Sequence, residues 1–232
     1  MALGISAGGG SGEIKPFIKY DARAGRMFRI DRSQNSSGQY ESNEVDISQD
    51  CTFVADLANI RVGWVNYSPQ GPVKRMVVLG QAAIPARPED KGSDGKPLFK
   101  QGFEFTVLLH KNMGGGPARE FGSSAGCVIE AIDALHDAYM AAPEAAQGKV
   151  PIVKMVKTSA VKSGQSTNYK PTFEIIGWTE RSDALPPAPS ASVGSNASAA
   201  SSTPPTTGST HAAPPAAAPA PQPAAAGADD FG

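Results

Sequence analysis

The sequence predicts a mainly β domain with a single helix, followed by a long tail that stays out of the fold. Three observations lead there. Short runs rich in Val, Ile, Phe, Tyr and Trp recur between Gly, Pro, Asn and Ser breaks from residue 14 to residue 179, as in strands joined by turns. Only one stretch, beginning near Ser123 or Ser124, spaces its apolar residues at helical period. From Ala184 to Ala228 the chain is almost entirely Ala, Pro, Ser, Thr and Gly, and half of its 20 prolines lie after Asp183. Such a segment cannot bury enough apolar area to offset the entropy of ordering it. The expected organisation is a flexible arm over 1–12, a folded domain over 13–183, a disordered spacer over 184–228 and a tip over 229–232.

The elements follow in chain order. Residues 14 to 31 read as a β-hairpin, turning at Asp21-Ala22-Arg23-Ala24-Gly25, where Gly25 accepts a positive φ. This hairpin is basic, with Lys15, Lys19, Arg23, Arg26, Arg29 and Arg32. Edge strands carry such charges to block aggregation, and a DNA-contacting arm uses the same residues. Ser33 to Tyr40 reads as a polar loop. Thr52 to Tyr67 reads as one long extended segment, broken at Ser68-Pro69-Gln70-Gly71-Pro72. Val73 to Ile84 is the next strand, and Pro85 to Pro97 a long hydrophilic loop. Phe99, Phe103, Phe105, Val107 and Leu109 alternate along a strand from 99 to 111.

Asn112 to Pro117 holds three glycines and reads as a turn. The helix follows, capped by Ser123 or Ser124, with Val128, Ile129, Ile132, Leu135 and Tyr139 on its apolar stripe and Pro143 marking its end. Val150 to Thr158 and Tyr169 to Thr179 are the last strands, separated by a polar loop over 159–168. From Thr52 the order is strand, strand, strand, helix, strand, strand. That is the order of the oligonucleotide-binding fold, a five-stranded Greek-key barrel with a helix between its third and fourth strands. The helix is expected to plug one end of the barrel, with the hairpin as an N-terminal addition.

Charge and cysteine content narrow the function. The net charge is -1, and residues 1–183 carry 21 basic and 20 acidic groups. Nucleic-acid binding therefore requires Lys and Arg clustered on one face. Cys51 and Cys127 lie far apart, which excludes a disulfide framework or a cysteine zinc site and fits a reducing cytoplasm. No apolar run approaches the ~20 residues needed to span a bilayer as a helix. His136-Asp137 lacks further metal ligands. The Gly114-Gly115-Gly116 turn lacks the Gly-Lys-Ser/Thr ending of a P-loop. Cys127 lacks a matching base. No enzyme activity, cofactor or metal is expected.

Single-strand binding needs aromatic platforms and cations along a groove. The residues placed to supply them are Arg26 and Arg29 in the hairpin, Trp64, Tyr67, Lys74, Arg75 and Phe99 on the first three barrel strands, and Lys154, Lys157, Lys162, Tyr169 and Lys170 on the last two. Phe103, Phe105 and Phe173 are expected in the core, since about half of each barrel strand points inward. At the far end, Asp229, Asp230 and Phe231 combine carboxylates with a ring that enters a pocket.

A β-barrel order, a Pro/Ala/Ser-rich spacer and an acidic tip with an aromatic together resemble single-stranded-DNA-binding proteins of bacteria and, more loosely, of tailed phages. The resemblance implies a protein that coats single strands and recruits replication, recombination or repair proteins through Asp229, Asp230 and Phe231. It further implies a cytoplasmic location, in a bacterium or a phage-infected host, and allows a homo-oligomer. The sequence departs from the usual bacterial tip, since Gly232 follows Phe231 and only two Asp precede it. The alternative is a phage structural or adaptor protein that uses the β-domain for protein contacts.

Overall fold

The computed structural model describes residues 16–37, 40–68 and 71–189. The expected arm over 1–12 and most of the spacer and tip lie outside them. Among the described residues, ten strands form a single sheet. The N-terminal hairpin is present as β1 (Phe17–Asp21) and β2 (Arg26–Gln34), antiparallel with Asp21 opposite Arg26. Gly25 makes the turn at φ 68°, where a side chain would be strained and would press on Tyr169.

β3 (Tyr40–Asp46) pairs with β2 at the outer edge of the sheet. The sequence reading left most of this strand unassigned and placed Ser33, Gln34 and Tyr40 in a loop. The reason is physical: β3 is an edge strand whose residues 41–44 are all exposed, so only Val45 carries a core signal. The extended segment from Thr52 to Tyr67 is two strands, β4 (Thr52–Ala55) and β5 (Arg61–Ser68), separated by a 3-10 turn over Leu57–Asn59. β6 (Gly71–Val78) returns along β5, and β7 (Lys100–Leu109) follows the long 79–99 connection.

β7 is the central strand. One of its edges pairs with β4 near Leu109 and with β5 near Lys100; its other edge pairs with β8 (Arg119–Ser123). β8 is a five-residue strand with Arg at its start and Gly inside it, too short and mixed to show in the pattern. It joins β1 in parallel, which attaches the hairpin to the sheet. On the other side, β4 pairs with β9 (Val150–Ser163), and β9 with β10 (Ser166–Thr179). The loop expected over 159–168 is thus mostly strand. Its polar residues extend a hairpin beyond the core, where neither face needs apolar side chains.

The sheet is not closed into a barrel: its order is β10-β9-β4-β7-β8-β1-β2-β3, with β5 and β6 branching from β7. The expected barrel fails because the break at residues 56–60 leaves β4 and β5 sharing one edge of β7 but carrying different strands on their other sides, β9 and β6, and because β8 adds a strand before the helix. The two arms do approach one another, through a backbone bond from Tyr169 N to Ala22 O of 2.6 Å.

Helix α1 (Gly126–Ala141) starts after Ala125, with no side-chain cap. Ser123 instead accepts from the Ala125 N–H. Val128, Ala131, Ile132, Leu135 and Tyr139 are buried, and the helix packs on β10 rather than plugging a barrel. A short helix α2 (Pro143–Ala146) follows, with Pro at its first turn. Phe121 sits at the centre of the core. Its ring lies 5.5 Å from Phe105, 5.6 Å from Phe103, 6.2 Å from Phe173 and 6.3 Å from Phe53. Edge-to-face rings add about 0.5–1.5 kcal/mol per pair beyond their burial.

The segment read as the start of the spacer lies on the sheet. Leu185 is 6% exposed and packs with Val54, Leu108, Val150 and Ile152. Arg181 pairs with the fully buried Asp56 at 2.7 Å and donates to Pro186 O; Asn59 donates to Pro187 O. Without Arg181 a buried carboxylate would be unpaired, a loss of roughly 3–5 kcal/mol. Leu185→Ala is expected to lower the unfolding free energy by about 2 kcal/mol, and ending the chain after Asp183 by more. Urea unfolding reads both; an unchanged midpoint would show that this strap adds nothing to the fold.

Candidate nucleic-acid interface

β5, β6 and β7 form a blade with two faces of opposite character. Strand side chains alternate, so Trp64 and Tyr67, three residues apart, point to opposite sides. The register places Trp64 beside Arg75 and Gln101, and Val65 beside Lys74 and Lys100. Gly63 allows β6 to approach: a Cβ there would lie 2.2 Å from the Arg75 carbonyl oxygen.

The Trp64 face alternates cations and rings. The Arg75 guanidinium lies over Phe99 at 5.6 Å, and that of Arg87 over Trp64 at 5.2 Å. Phe99 is buried and Trp64 half-buried. Arg87 also donates to Phe99 O through Nε and Nη2, at 3.1 and 2.7 Å, while Trp64 Nε1 donates to Pro85 O at 2.8 Å. Arg87 was missed by the sequence reading because it sits in a loop with no periodicity. Its only signal was an Arg between two prolines, Pro85 and Pro88.

The opposite face is a balanced ion network. Glu104, buried on β7, meets Arg61 at 2.6 Å and Lys74 at 2.5 Å, and Lys74 also contacts Glu120. Burial works against the Lys74 charge, but the two carboxylates outweigh it and hold its pKa above the ordinary value. Tyr67 is 60% exposed on this side. A groove of about 670 Å³ runs past Arg61, Glu104 and Glu120 to the strap at Leu185.

The other expected residues are dispersed. Arg26 pairs with Asp46, and Arg29 with Asp31 and Met113 O. Lys154 pairs with Asp50, and Lys170 with Glu130 on α1. Lys157 and Lys162 are exposed on the β9–β10 arm and make no ion pair among the described residues. Tyr169 packs over the β1–β2 turn, and its carbonyl accepts from Tyr20 Oη. Of the expected set, the structure thus brings Trp64, Arg75 and Phe99 together on one face. Asp229, Asp230 and Phe231 lie outside the described residues.

The weaker chemical motifs also have places. The N–H groups of Met113, Gly114 and Gly115 bond to His110 O and Lys111 O, while the carbonyls of Met113, Gly115 and Pro117 accept from Arg29 and Arg119. The glycine turn therefore cradles two of the chain's own guanidinium groups. Burial lowers the His136 pKa and raises that of Cys127. Among the described residues no group of three His, Cys, Asp or Glu is placed to hold a metal ion, and no helix is long and apolar enough to cross a membrane. No family model, curated protein or solved structure matches this chain.

Asp31 joins β2 to the glycine turn through Arg29 at 2.7 Å and the buried Arg119 at 2.8 Å. Partial burial raises its pKa, but the two arginines outweigh this and hold it below the ordinary carboxylate value. A carboxyl lowered in the folded state stabilises fully above its unfolded pKa and loses that contribution as pH falls through its folded one. Asp31→Asn is therefore expected to be less stable at neutral pH and to lose less on acidification. Thermal melts from pH 7 down to pH 2 read this; parallel acid limbs for the two proteins would contradict it.

Proposed function

We propose that this chain is a non-catalytic single-stranded-DNA-binding protein. The observation that carries the reading is the Trp64 face, where Trp64 on β5 and Arg75 on β6 meet Arg87 and Phe99 from the 79–99 connection, so that two arginines and two aromatic rings alternate. The half-buried Trp64 ring accepts a stacked base of any sequence at ~1–3 kcal/mol, and the arginines meet the phosphates beside it. Lys157 and Lys162 extend the supply of cations on the β9–β10 arm. The strand order around α1 supports an oligonucleotide-binding-type reading, with β8 as an added strand. In this reading the protein coats exposed strands, and Asp229, Asp230 and Phe231 at the end of the spacer recruit replication, recombination or repair proteins.

Fluorescence anisotropy of labelled oligo-dT tests the reading, using the full chain and a chain ending at residue 189, which keeps the strap. Binding is expected to exceed that to duplex DNA and to weaken with salt as counterions return to the strand. Trp64→Ala is expected to weaken it by about tenfold, the loss of one stacked base. Arg75→Ala is expected to reduce the salt slope by about one phosphate contact. An affinity for duplex equal to that for single strands, or no binding, would sink the proposal. Deleting 229–232 is expected to leave oligo-dT binding intact or tighter while abolishing partner capture.

A second reading, protein contact through the β-domain, draws on the free edge of β3. Glu41 and Glu44 stand exposed there, and among the described residues no strand pairs with its outer side. Unpaired edges add strands from other chains.

A further inference from the structure

We propose that Arg87 holds, on the ring of Trp64, the position a nucleobase takes, and that the 79–99 segment is a latch that releases when a strand binds. The inference rests on the single-strand reading and adds to it a closed state and an element that must move.

The geometry points to a placeholder. A guanidinium is flat, weakly hydrated and suited to stacking on an aromatic face. Arg87 lies over the one tryptophan on the blade, so a base and Arg87 compete for the same ring. The indole N–H is likewise taken, by Pro85 O at 2.8 Å. The latch is the backbone that carries both groups.

The way the segment is held fits release. Its far part closes on itself: Gly92 N bonds to Lys96 O, Gly95 N to Gly92 O and Leu98 N to Asp90 O. Its root is tied by Leu79 N to Ile60 O. Between these, the polar tie to the blade is the Trp64–Pro85 bond, while the two bonds from Arg87 to Phe99 O close the segment onto its own end, where it enters β7. Ile84 and Leu98 are 48% and 40% exposed, and Pro88 is the segment's buried residue before Phe99. Few apolar contacts and exposed backbone bonds are the marks of a unit that opens locally. Once released, Arg87 is free to meet a phosphate.

Two measurements on the full chain test this. Trypsin cleavage after Lys91 is expected to accelerate when oligo-dT is bound; slower or unchanged cleavage would overturn the latch. Arg87→Ala removes the competitor and its bonds, and is expected to bind oligo-dT about threefold more tightly or better at high salt, where its loss as a phosphate contact is screened. Equal or weaker binding by Arg87→Ala at high salt would overturn the placeholder while leaving the single-strand reading standing. Absence of oligo-dT binding by both proteins would overturn the reading and the latch together. Urea unfolding of Arg87→Ala, expected to match the parent, separates a local effect from a general loss of fold.

Discussion

β7 is the constraint on which the rest of this structure depends. One strand must serve three neighbours: β4 and β5 in succession along one edge, and β8 along the other. Its sequence meets this demand. Phe103, Phe105, Val107 and Leu109 present a continuous apolar face to the core, and Glu104 faces the other side. The turn at residues 56–60 then divides the sheet. One half runs through β4 to the β9–β10 arm; the other runs through β5 to β6. Phe121, brought to β7 by β8, fills the core beneath the division.

The charges explain how a nearly neutral domain sets two arginines on aromatic rings. Many of its cations are held in ion pairs: Arg26 with Asp46, Arg29 and Arg119 with Asp31, Lys74 with Glu104 and Glu120, Arg181 with Asp56. Apart from Arg29 and Asp31, which share β2, these pairs join different elements, so they register the fold more than they colour the surface. Arg75 and Arg87 rest on rings instead of carboxylates. In the proposed binding mode, exchanging an aromatic partner for a base and a phosphate requires no buried ion pair to break.

Much of the secondary structure was legible because it obeys simple periods. The β1–β2 turn followed from Asp21 and Gly25, and the helix from the spacing of Val128, Ile132, Leu135 and Tyr139. What escaped were strands without an apolar face. β3 is an exposed edge, β8 is five residues long, and the ends of β9 and β10 stand clear of the core. Their stability comes from pairing with a neighbour, a property that no local window contains. The placement of Leu185 escaped for a related reason: one leucine before two prolines looks like spacer until the sheet supplies its pocket.

The sequence by itself determined the β-rich class, the long helix α1 and the compositional division between domain and tail. These depend on side-chain period and on the apolar area a segment can bury, both local quantities. Only the tertiary structure decided that the sheet stays open, because closure depends on which neighbour each half of a broken strand pairs with. It alone separated Trp64 from Tyr67 and Arg75 from Lys74, since alternation and register assign faces jointly. It also placed Arg87, from a loop without pattern, on the ring of Trp64. That contact spans two segments whose meeting is set by the path of the 79–99 connection, and no spacing within either segment encodes it.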